Sequence, residues 1–336
     1  MIKIEENYAL LPHNTLGIDV KSRWFISYDS EEDLHKILSD EYFYSLPFLH
    51  VGEGSNLLFL SDYNGIILHS NIKGIEITNE DDQSVTLQVG AGWSWDSFVQ
   101  YAISHRWGGV ENLSGIPGEV GAAAVQNIGA YGSEVKDLIV SVEAYDIQTG
   151  EKHIILNQEC EYAYRKSKFK AEWKGRYIIT SVLFRLSKHP QYNVEYGNLK
   201  TILSGKEITL QTIREAVISV RDSKLPNPKV LGNAGSFFMN PYIENAQYET
   251  LKQTYPDIPA FPVSEKLVKI PAAWLIDQCG LKGFQQGKAA VHENQPLVLV
   301  NKGGATGQEI ADLAQYIEKA VQEKFGITII PEVTYI

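Results

Sequence analysis

The sequence predicts a chain of mixed α and β structure, and three patterns support this. Apolar residues recur at helical spacing in several segments, most clearly over residues 306–326. In residues 84–92 (SVTLQVGAG) apolar and polar residues alternate, which is typical of a half-buried strand that ends in a turn. Glycine-rich loops separate such segments, without a fixed-period repeat or a low-complexity tract, so solenoids, propellers and long disordered tails are excluded.

Two helices are predicted in the first half of the chain. In residues 30–38, Ser30 is a typical N-cap residue with Asp33 three positions later, and the apolar residues that follow share one face. Residues 93–105 return to helical spacing directly after the strand predicted within residues 84–92. We therefore expect a strand, a turn and a helix in succession there.

Two β segments follow. Residues 137–156 have the pattern of a hairpin that turns at Thr149 and Gly150. Residues 176–187 (RYIITSVLFRLS) read as one buried strand, because apolar and β-branched residues dominate them.

The second half begins with a helix over 209–224, which Thr209 caps. Residues 225–241 contain three prolines and several Gly or Asn residues, so we predict a domain boundary there. Pro271 and Gly280 bracket a short helix. The helix over 306–326 opens with the capping box Thr306 to Glu309 and stops at Gly326.

Composition limits the classes of function. The 336 residues suffice for two or three domains, and the proportions of 44% hydrophobic and 11% aromatic residues are ordinary for a globular protein. The net charge of -11 disfavours nucleic acid and anionic membranes as partners. Two cysteines make no disulfide framework, and neither a membrane span nor a signal peptide is predicted. We expect a cytoplasmic monomer.

Several common catalytic motifs are absent. The sequence has no GxGxxG dinucleotide fingerprint, no GxxxxGK[ST] loop and no GxSxG elbow. Its eight histidines include no HExxH motif and no close His/Cys cluster, so we expect no catalytic metal. A binding site must therefore be sought in other patterns.

Three glycine-rich loops supply such a pattern, over residues 51–59, 89–95 and 111–132. Exposed backbone N–H groups in such loops bind anions, and missing side chains let a phosphate or a flat ring touch the main chain. Any one loop taken alone is more typical of a tight turn in a β-rich fold. Three loops together, one of them 22 residues long with only two charged side chains, favour a large ligand that carries a pyrophosphate and a planar ring.

Seven motifs along nearly the whole chain resemble, in this order, the type I form of the UDP-N-acetylenolpyruvoylglucosamine reductase (MurB) family. They are GEGSNLL (52–58), GAGWSW (90–95), ENLSGIPGEVGAAAVQNIGAYG (111–132), YRKSKFK (164–170), KLPNPKVLGNAGSFFMNP (224–241), WLIDQCGLKG (274–283) and PEV (331–333). The resemblance implies an α+β fold with a vanillyl-alcohol-oxidase (PCMH)-type FAD-binding portion of two subdomains and a separate α+β substrate-binding domain. FAD binding without a dinucleotide fingerprint would follow from this fold.

The resemblance also implies the domain limits and the cofactor site. The FAD-binding portion would span 1–222, with subdomains of about 1–70 and 71–222, and the substrate-binding domain would span 223–326. Residues 327–336 would return to the active site. The implied FAD-binding residues are Gly52, Gly54, Ser55, Asn56, Leu57, Asn112, Gly115, Ile116, Pro117, Gly118, Gly121, Ala122, Gln126, Asn127, Gly129, Ala130, Tyr131 and Gly132.

The implied reaction reduces UDP-N-acetylglucosamine enolpyruvate to UDP-N-acetylmuramate, a step of peptidoglycan precursor synthesis. NADPH would be the co-substrate and would reduce FAD in the first half of a ping-pong cycle. Arg165 matches the arginine at the enolpyruvyl carboxylate, where a planar guanidinium forks onto the acid. Glu332 matches its acidic partner, and Ser236 matches the donor that protonates C2.

Seven further residues match positions that hold the UDP-sugar or the nicotinamide nucleotide: Tyr164, Tyr196, Lys224, Gly235, Asn240, Gln285 and His292. Tyr196 corresponds to a loop tyrosine that closes over the diphosphate, although an aromatic residue beside glycine is also typical of a core or a turn. A lone histidine such as His292 is equally typical of a structural position.

Two departures from the family pattern introduce acids into the loops. Glu53 replaces a glycine and Glu119 replaces a threonine. Because a carboxylate opposes anion binding, we expect Glu53 to face solvent. Another flavoenzyme on the same fold, or a non-catalytic flavin-binding or UDP-sugar-binding module, would share the glycine loops. The former would have no reason to combine GNAGSFF with Arg165 and Glu332, and the latter would bind without turnover.

Overall fold

The computed structural model describes residues 1–336, which form two compact units. Unit 1 consists of residues 1–8, 22–53 and 64–221. Unit 2 consists of residues 9–21, 54–63 and 222–336. Neither unit has a helix long and apolar enough to cross a membrane. The domain limits predicted from the sequence, 1–222 and 223–326, separate an FAD-binding portion from a substrate-binding domain. They stay a prediction.

Short strands and helices alternate along the chain, as the sequence predicts. The strands are β1 Lys3–Ala9, β2 Lys21–Tyr28, β3 Phe48–His50, β4 Leu57–Leu58, β5 Tyr63–Ser70, β6 Ile75–Glu80, β7 Ser84–Gly90, β8 Gly129–Ala130, β9 Ser133–Glu134, β10 Ile139–Asp146, β11 Lys152–Leu156, β12 Tyr177–Ser187, β13 Gly232–Ser236, β14 Tyr242–Glu244, β15 Phe261–Pro262, β16 Leu267–Lys269, β17 Gln285–Gln286, β18 Ala289–Val291, β19 Val298–Asn301 and β20 Thr334–Tyr335. The α-helices are α1 Glu31–Leu38, α2 Trp95–Ser104, α3 Val120–Gln126, α4 Leu199–Ile202, α5 Leu210–Lys224, α6 Asn245–Thr254, α7 Ala272–Gln278 and α8 Gly307–Phe325.

The larger sheet of unit 1 has five strands in the order β11-β10-β12-β7-β6. The predicted hairpin is confirmed, since β10 and β11 pair antiparallel around Thr149 and Gly150. The predicted buried strand is β12, which pairs with both β10 and β7. Its Phe184 stacks on Phe98 of α2 with ring centroids 4.9 Å apart. This aromatic contact lies in the main core of unit 1.

The second sheet of unit 1 has the order β1-β2-β5-β3, and β3 pairs with β5 in parallel. Helix α1 buries its predicted apolar face in the same core as Tyr28 and Leu68. The predicted cap is confirmed, because the Ser30 hydroxyl accepts the backbone N–H of Asp33 at 3.1 Å. Such a cap satisfies a donor that the helix itself leaves unpaired.

Unit 2 is built around the sheet β13-β19-β18-β17, against which α8 packs. The capping box of α8 forms as predicted, with Thr306 and Glu309 bonded reciprocally, and Gly326 ends the helix at φ 65°. A parallel pair joins β20 to β4, so the last residues of the chain lie beside residues 57–58.

The first turn of α8 lies against the main chain of residues 59–60. A Cβ atom on Gly307 would lie 1.8 Å from the carbonyl oxygen of Phe59. No heavy-atom contact is that short, and the obstacle is backbone, so only glycine fits without a shift of the helix.

We expect Gly307→Ala to destabilise the protein by about 1–3 kcal/mol, because overpacking forces backbone shifts of that cost. Urea unfolding measures the change, and Gln308→Ala is the control because Gln308 is the exposed neighbour on the same turn. Equal unfolding midpoints for Gly307→Ala and the wild type would contradict the close approach.

Candidate functional site

The long glycine-rich stretch, residues 111–132, belongs to unit 1 and folds as a short 3-10 turn, helix α3 and strand β8, which pairs with β9 directly after the stretch. Asn112 is buried, and its side-chain amide donates to the carbonyl oxygens of Tyr131 and Asn193, both at 2.8 Å. Asn112 thus ties the beginning of the stretch to its end.

An ion pair from outside the stretch fixes Gly115. The backbone N–H of Gly115 donates to Asp96 Oδ1 at 2.6 Å, and its carbonyl oxygen accepts from Arg221 Nε at 3.1 Å. Arg214 donates two hydrogen bonds to the Asp96 carboxylate, of 2.6 and 2.7 Å. Burial opposes ionisation of Asp96, but Arg214 and the Gly115 amide outweigh it and keep the pKa of Asp96 below its usual value.

The sequence did not reveal this ion pair, although it contained a signal for it. Arg214 lies on the face of α5 that also buries Leu210, Ile213 and Val217. An arginine in an apolar stripe requires a carboxylate partner or a ligand. The partner, Asp96, lies 118 positions earlier.

The middle of the stretch leaves main chain accessible next to apolar side chains. Gly115 and Ile116 are half-buried, while Pro117 and Ala122 are exposed. Gly121 packs inward, since a Cβ there would lie 2.9 Å from the Cβ of Ala91. Accessible backbone beside small apolar groups suits a flat ring or a phosphate, so these residues fit the predicted cofactor.

Two glutamates connect the loop at 51–53 with the loop at 115–119, both in unit 1, because each side chain lies against the other loop. Glu53 Oε2 accepts the backbone N–H of Gly118 at 2.8 Å. In return, Glu119 lies over Gly52, where a Cβ would come within 2.8 Å of Glu119 Oε2. The expectation that Glu53 faces solvent is therefore wrong: it is half-buried, because the Gly118 amide supplies a partner that a solvent-facing carboxylate would not need.

Burial determines the protonation states of Glu119 and His69. Glu119 is 8% exposed, and burial, with a smaller contribution from the charge of Glu53, raises its pKa to about 8. His69 Nε2 lies 3.8 Å from Glu119 Oε1, while His69 Nδ1 donates to the carbonyl oxygen of Val51 at 2.8 Å. Burial lowers the pKa of His69, so Glu119 and His69 form a mainly neutral pair at pH 7 and not a salt bridge.

Arg165 occupies the tip of a tight turn in unit 1, closed by backbone hydrogen bonds between Ala163 and Lys166. Its φ of 55° lies in the left-handed region, which costs a non-glycine residue about 1–2 kcal/mol. Nη2 donates to the carbonyl oxygen of Gly129 at 2.8 Å, and the guanidinium lies 5.6 Å from the centre of the Tyr164 ring. Such strain, held by specific contacts, is typical of a functional side chain.

The end of the stretch carries two tyrosines. Tyr131 is half-buried, and its ring meets that of Tyr196 edge-on at 6.3 Å. Tyr196 is 53% exposed, so it is not a core residue. Asn193 donates to the carbonyl oxygen of Gly132 at 3.1 Å, which fixes the loop of Tyr196 against the stretch.

Two further predicted residues of the stretch bond to neighbouring segments. Gln126 Oε1 accepts from Lys170 Nζ at 2.7 Å. Asn127 ends α3 with φ 45°, and its side-chain amide donates to the carbonyl oxygen of Ala163 at 2.8 Å. Ala130, another predicted FAD-binding residue, pairs with Ser133 across the β8-β9 hairpin.

In unit 2, Ser236 and Glu332 lie on neighbouring chain segments. Ser236 is the exposed last residue of β13. The backbone N–H of Glu332 donates to the carbonyl oxygen of Phe237 at 2.8 Å, and Phe238 forms an antiparallel bridge with Pro331. Asn56 Nδ2 donates to the carbonyl oxygen of Glu332 at 3.1 Å. Unit 2 therefore brings together three predicted site residues from distant parts of the sequence.

Backbone contacts also fix the loop that contains Asn56. Gly54 is buried at φ 65°, and a Cβ on it would lie 1.8 Å from the carbonyl oxygen of His13. Ser55 is half-buried, and Leu57 pairs with Thr334 in the β4-β20 ladder. The loop can thus approach its neighbours only because residue 54 is glycine.

The other predicted residues of unit 2 are less closely connected. The Asn240 side-chain oxygen accepts the backbone N–H of Ala272 at 2.9 Å, at the start of α7. Gly235 has φ 67°. Lys224 and Gln285 are exposed. His292 is half-buried, and burial lowers its pKa.

Comparison with known proteins matches both parts of the chain. Residues 227–336 match the C-terminal domain of UDP-N-acetylenolpyruvoylglucosamine reductase, and residues 23–155 match an FAD binding domain. The UDP-N-acetylenolpyruvoylglucosamine reductase of Bacteroides fragilis is 50% identical over 334 residues, which cover 99% of this chain and 100% of that protein.

Two solved structures share the fold. The UDP-N-acetylenolpyruvylglucosamine reductase (MurB) of Thermus caldophilus has a TM-score of 0.71 at 22% identity, covering 100% of this chain and 99% of that chain. A solvent-stable cholesterol oxidase has a TM-score of 0.53 at 11% identity, covering 98% and 87%. The predicted fold class is confirmed: an α+β chain with a vanillyl-alcohol-oxidase-type FAD-binding portion and a separate α+β domain.

The raised pKa of Glu119 predicts a pH-dependent stability. The carboxyl keeps its proton up to a pKa of about 8 in the folded chain but loses it near its ordinary value of 4.5 when unfolded. The folded state therefore binds more protons, and stability falls as pH rises from about 4.5 to about 8. Glutamine does not titrate, so Glu119→Gln removes this loss of up to about 1.4 kcal/mol per pH unit.

Urea unfolding at pH 5 and pH 8 measures the effect. We expect the advantage of Glu119→Gln over the wild type to grow between these two values. Glu172→Gln is the control, because the side chain of Glu172 is 70% exposed. An advantage that stays the same at both pH values would mean that Glu119 titrates normally.

Proposed function

This chain belongs to the UDP-N-acetylenolpyruvoylglucosamine reductase family, and we propose that it reduces UDP-N-acetylglucosamine enolpyruvate to UDP-N-acetylmuramate with bound FAD and with NADPH as reductant. The two half-reactions alternate in a ping-pong cycle. The step belongs to peptidoglycan precursor synthesis and cell-wall biogenesis, and we place it in the cytoplasm. The observation that carries the proposal is the pairing of residues 237–238 with residues 331–332, which holds Ser236 and Glu332 on adjacent segments.

FAD is the proposed ligand of the glycine loops, and the match of residues 23–155 to an FAD binding domain supports this. When bound, FAD would supply the hydride chemistry that links NADPH to C3 of the enolpyruvyl group. The accessible backbone of residues 115–117 would hold its ring or its phosphates. All eighteen cofactor residues predicted from the sequence are retained in the proposal.

Arg165 binds the enolpyruvyl carboxylate in this proposal. A guanidinium stays charged and accepts a carboxylate on two parallel N–H donors, so it also stabilises the negative charge that develops as C3 is reduced. Its bond to Gly129 and its strained backbone support a fixed position. Glu332 orients and polarises the same carboxylate group.

Ser236 completes the reaction by moving a proton. Its Oγ–H bond breaks and a C–H bond forms at C2, while the electron pair of the carbanion becomes that bond. Serine is a weak acid, and only a strongly basic carbon centre takes its proton efficiently. The exposure of Ser236 supports the role, because solvent can then return a proton to Oγ.

The substrate residues are proposed to hold the UDP-sugar or the nicotinamide nucleotide: Tyr164, Tyr196, Lys224, Gly235, Asn240, Gln285 and His292. Lys224 supplies a positive charge for a phosphate or a carboxylate. Tyr196 closes over the diphosphate, and its 53% exposure supports a loop residue that is available for contact.

Ser236→Ala tests the proposal by separating the half-reactions. Under anaerobic conditions, NADPH should bleach the visible flavin absorbance of the variant at nearly the wild-type rate. Recovery of colour on addition of UDP-N-acetylglucosamine enolpyruvate should slow by about 10²–10⁴-fold, the usual contribution of a general acid. The exposed Ser204 provides the control, as Ser204→Ala, in which both rates should stay the same.

Other outcomes of this experiment would overturn different parts of the proposal. Equal slowing of both half-reactions would contradict the role of Ser236. Flavin that is bleached by NADPH and recoloured only by oxygen would overturn the substrate assignment. A protein that stays colourless after FAD is supplied would overturn the cofactor assignment as well.

A further inference from the structure

We propose that Glu53 and Glu119 couple FAD binding to a proton, so that the FAD diphosphate binds at the loops of Gly52 and Gly118 only while the Glu119 carboxyl is protonated. This inference rests on the proposed function, because it takes FAD as the ligand of these loops. It assigns a task to two acids that otherwise oppose an anionic ligand.

The geometry is reciprocal. Glu53 accepts the N–H of Gly118 at 2.8 Å, and Gly118 directly precedes Glu119. Glu119 lies over Gly52, which directly precedes Glu53, and a Cβ there would be 2.8 Å from Glu119 Oε2. Each carboxyl therefore lies against the other's loop, and both approach the same small area of backbone.

The Glu53 carboxylate and a phosphate oxygen would compete for the backbone amide of Gly118. A backbone amide has one proton to donate, and here it donates to a carboxylate oxygen of Glu53. Gly118 is buried and has φ 118°, a conformation that favours glycine. A phosphate oxygen that takes this amide must displace or share the position of Glu53, and it then adds negative charge beside two carboxyls.

No buried cation offsets that charge. The groups that face Glu119 are Glu53, His69 on β5, Lys73 after β5 and Tyr28 on β2. His69 is mainly neutral because burial lowers its pKa, and burial raises the pKa of Tyr28, which therefore also stays neutral. Lys73 is exposed and is screened by solvent.

A proton on Glu119 is the remaining way to reduce the repulsion. Burial, with a smaller contribution from Glu53, raises the pKa of Glu119 to about 8, which favours this proton near neutral pH. Above that pH the carboxyl ionises, and two carboxylates then face the ligand. A bound diphosphate must raise the pKa of Glu119 further, because like charges favour the protonated form.

The decisive measurement is the dissociation constant for FAD as a function of pH. The full-length protein is stripped of flavin and titrated with FAD between pH 6 and 9, with flavin fluorescence as the readout. For the wild type, the constant should stay level below pH 7 and rise towards about tenfold per pH unit above pH 8, as expected for one linked proton.

The variants separate this coupling from a merely structural role. Glu119→Gln mimics the protonated acid and should bind FAD at every pH as the wild type does at pH 6. Glu172→Gln, at an exposed acid of the same unit, should keep the wild-type rise. A rise that is as steep in Glu119→Gln as in the wild type would overturn the inference.

Calorimetry tests the same coupling without any variant. FAD binding to the wild type at pH 8.5, measured in two buffers of different ionisation enthalpy, should take up a substantial fraction of one proton per FAD. FAD binding with no proton uptake and a level dissociation constant would overturn the coupling and leave the proposed function intact. Absence of FAD binding at every pH would overturn both.

Discussion

Close approach of bare backbone to its neighbours is the constraint on which the predicted cofactor site depends. Gly121 packs against Ala91 at a distance that leaves no room for a Cβ, and Gly52 lies under the side-chain carboxyl of Glu119. The stretch of residues 111–132 leaves Pro117 and Ala122 exposed and Gly115 and Ile116 half-buried. Its glycines therefore serve packing in some positions and access to the main chain in others.

Side chains from outside the stretch hold this backbone in place. Arg214 fixes Asp96, and Asp96 fixes the amide of Gly115, while Glu53 fixes the amide of Gly118. These carboxylates satisfy amides that a polyglycine loop would expose to solvent. The order that Asp96 gives to Gly115 lowers the ordering cost of ligand binding, whereas Glu53 occupies the Gly118 amide that a phosphate would need.

Local signals in the sequence were sufficient for much of the fold. The cap at Ser30 and the capping box at Thr306 depend on residues three positions apart, so the sequence contains them directly. The β10-β11 hairpin depends on a short turn and was equally accessible. Longer-range partners were not accessible in this way. The amide that binds Glu53 lies 65 positions away, so the expectation that Glu53 faces solvent, which was based on ligand charge alone, failed.

The catalytic candidates show the same limit. Only the family resemblance placed Ser236 and Glu332 in one site, because strand pairing across almost a hundred residues leaves no local pattern. Asn240 was assigned to the substrate, yet its side-chain oxygen binds the start of α7. A side chain that stabilises a helix start can still position its neighbours, and the sequence does not distinguish the two roles.

Hydrogen exchange of the full-length protein, compared with and without added FAD, tests most directly whether the glycine stretch of unit 1 is a flavin-binding surface. The amides of residues 115–116, 118–122 and 51–53 should exchange at least about tenfold more slowly with FAD, since a bound ligand suppresses local opening. FAD binding that protects other segments and leaves these amides unchanged would contradict the assignment.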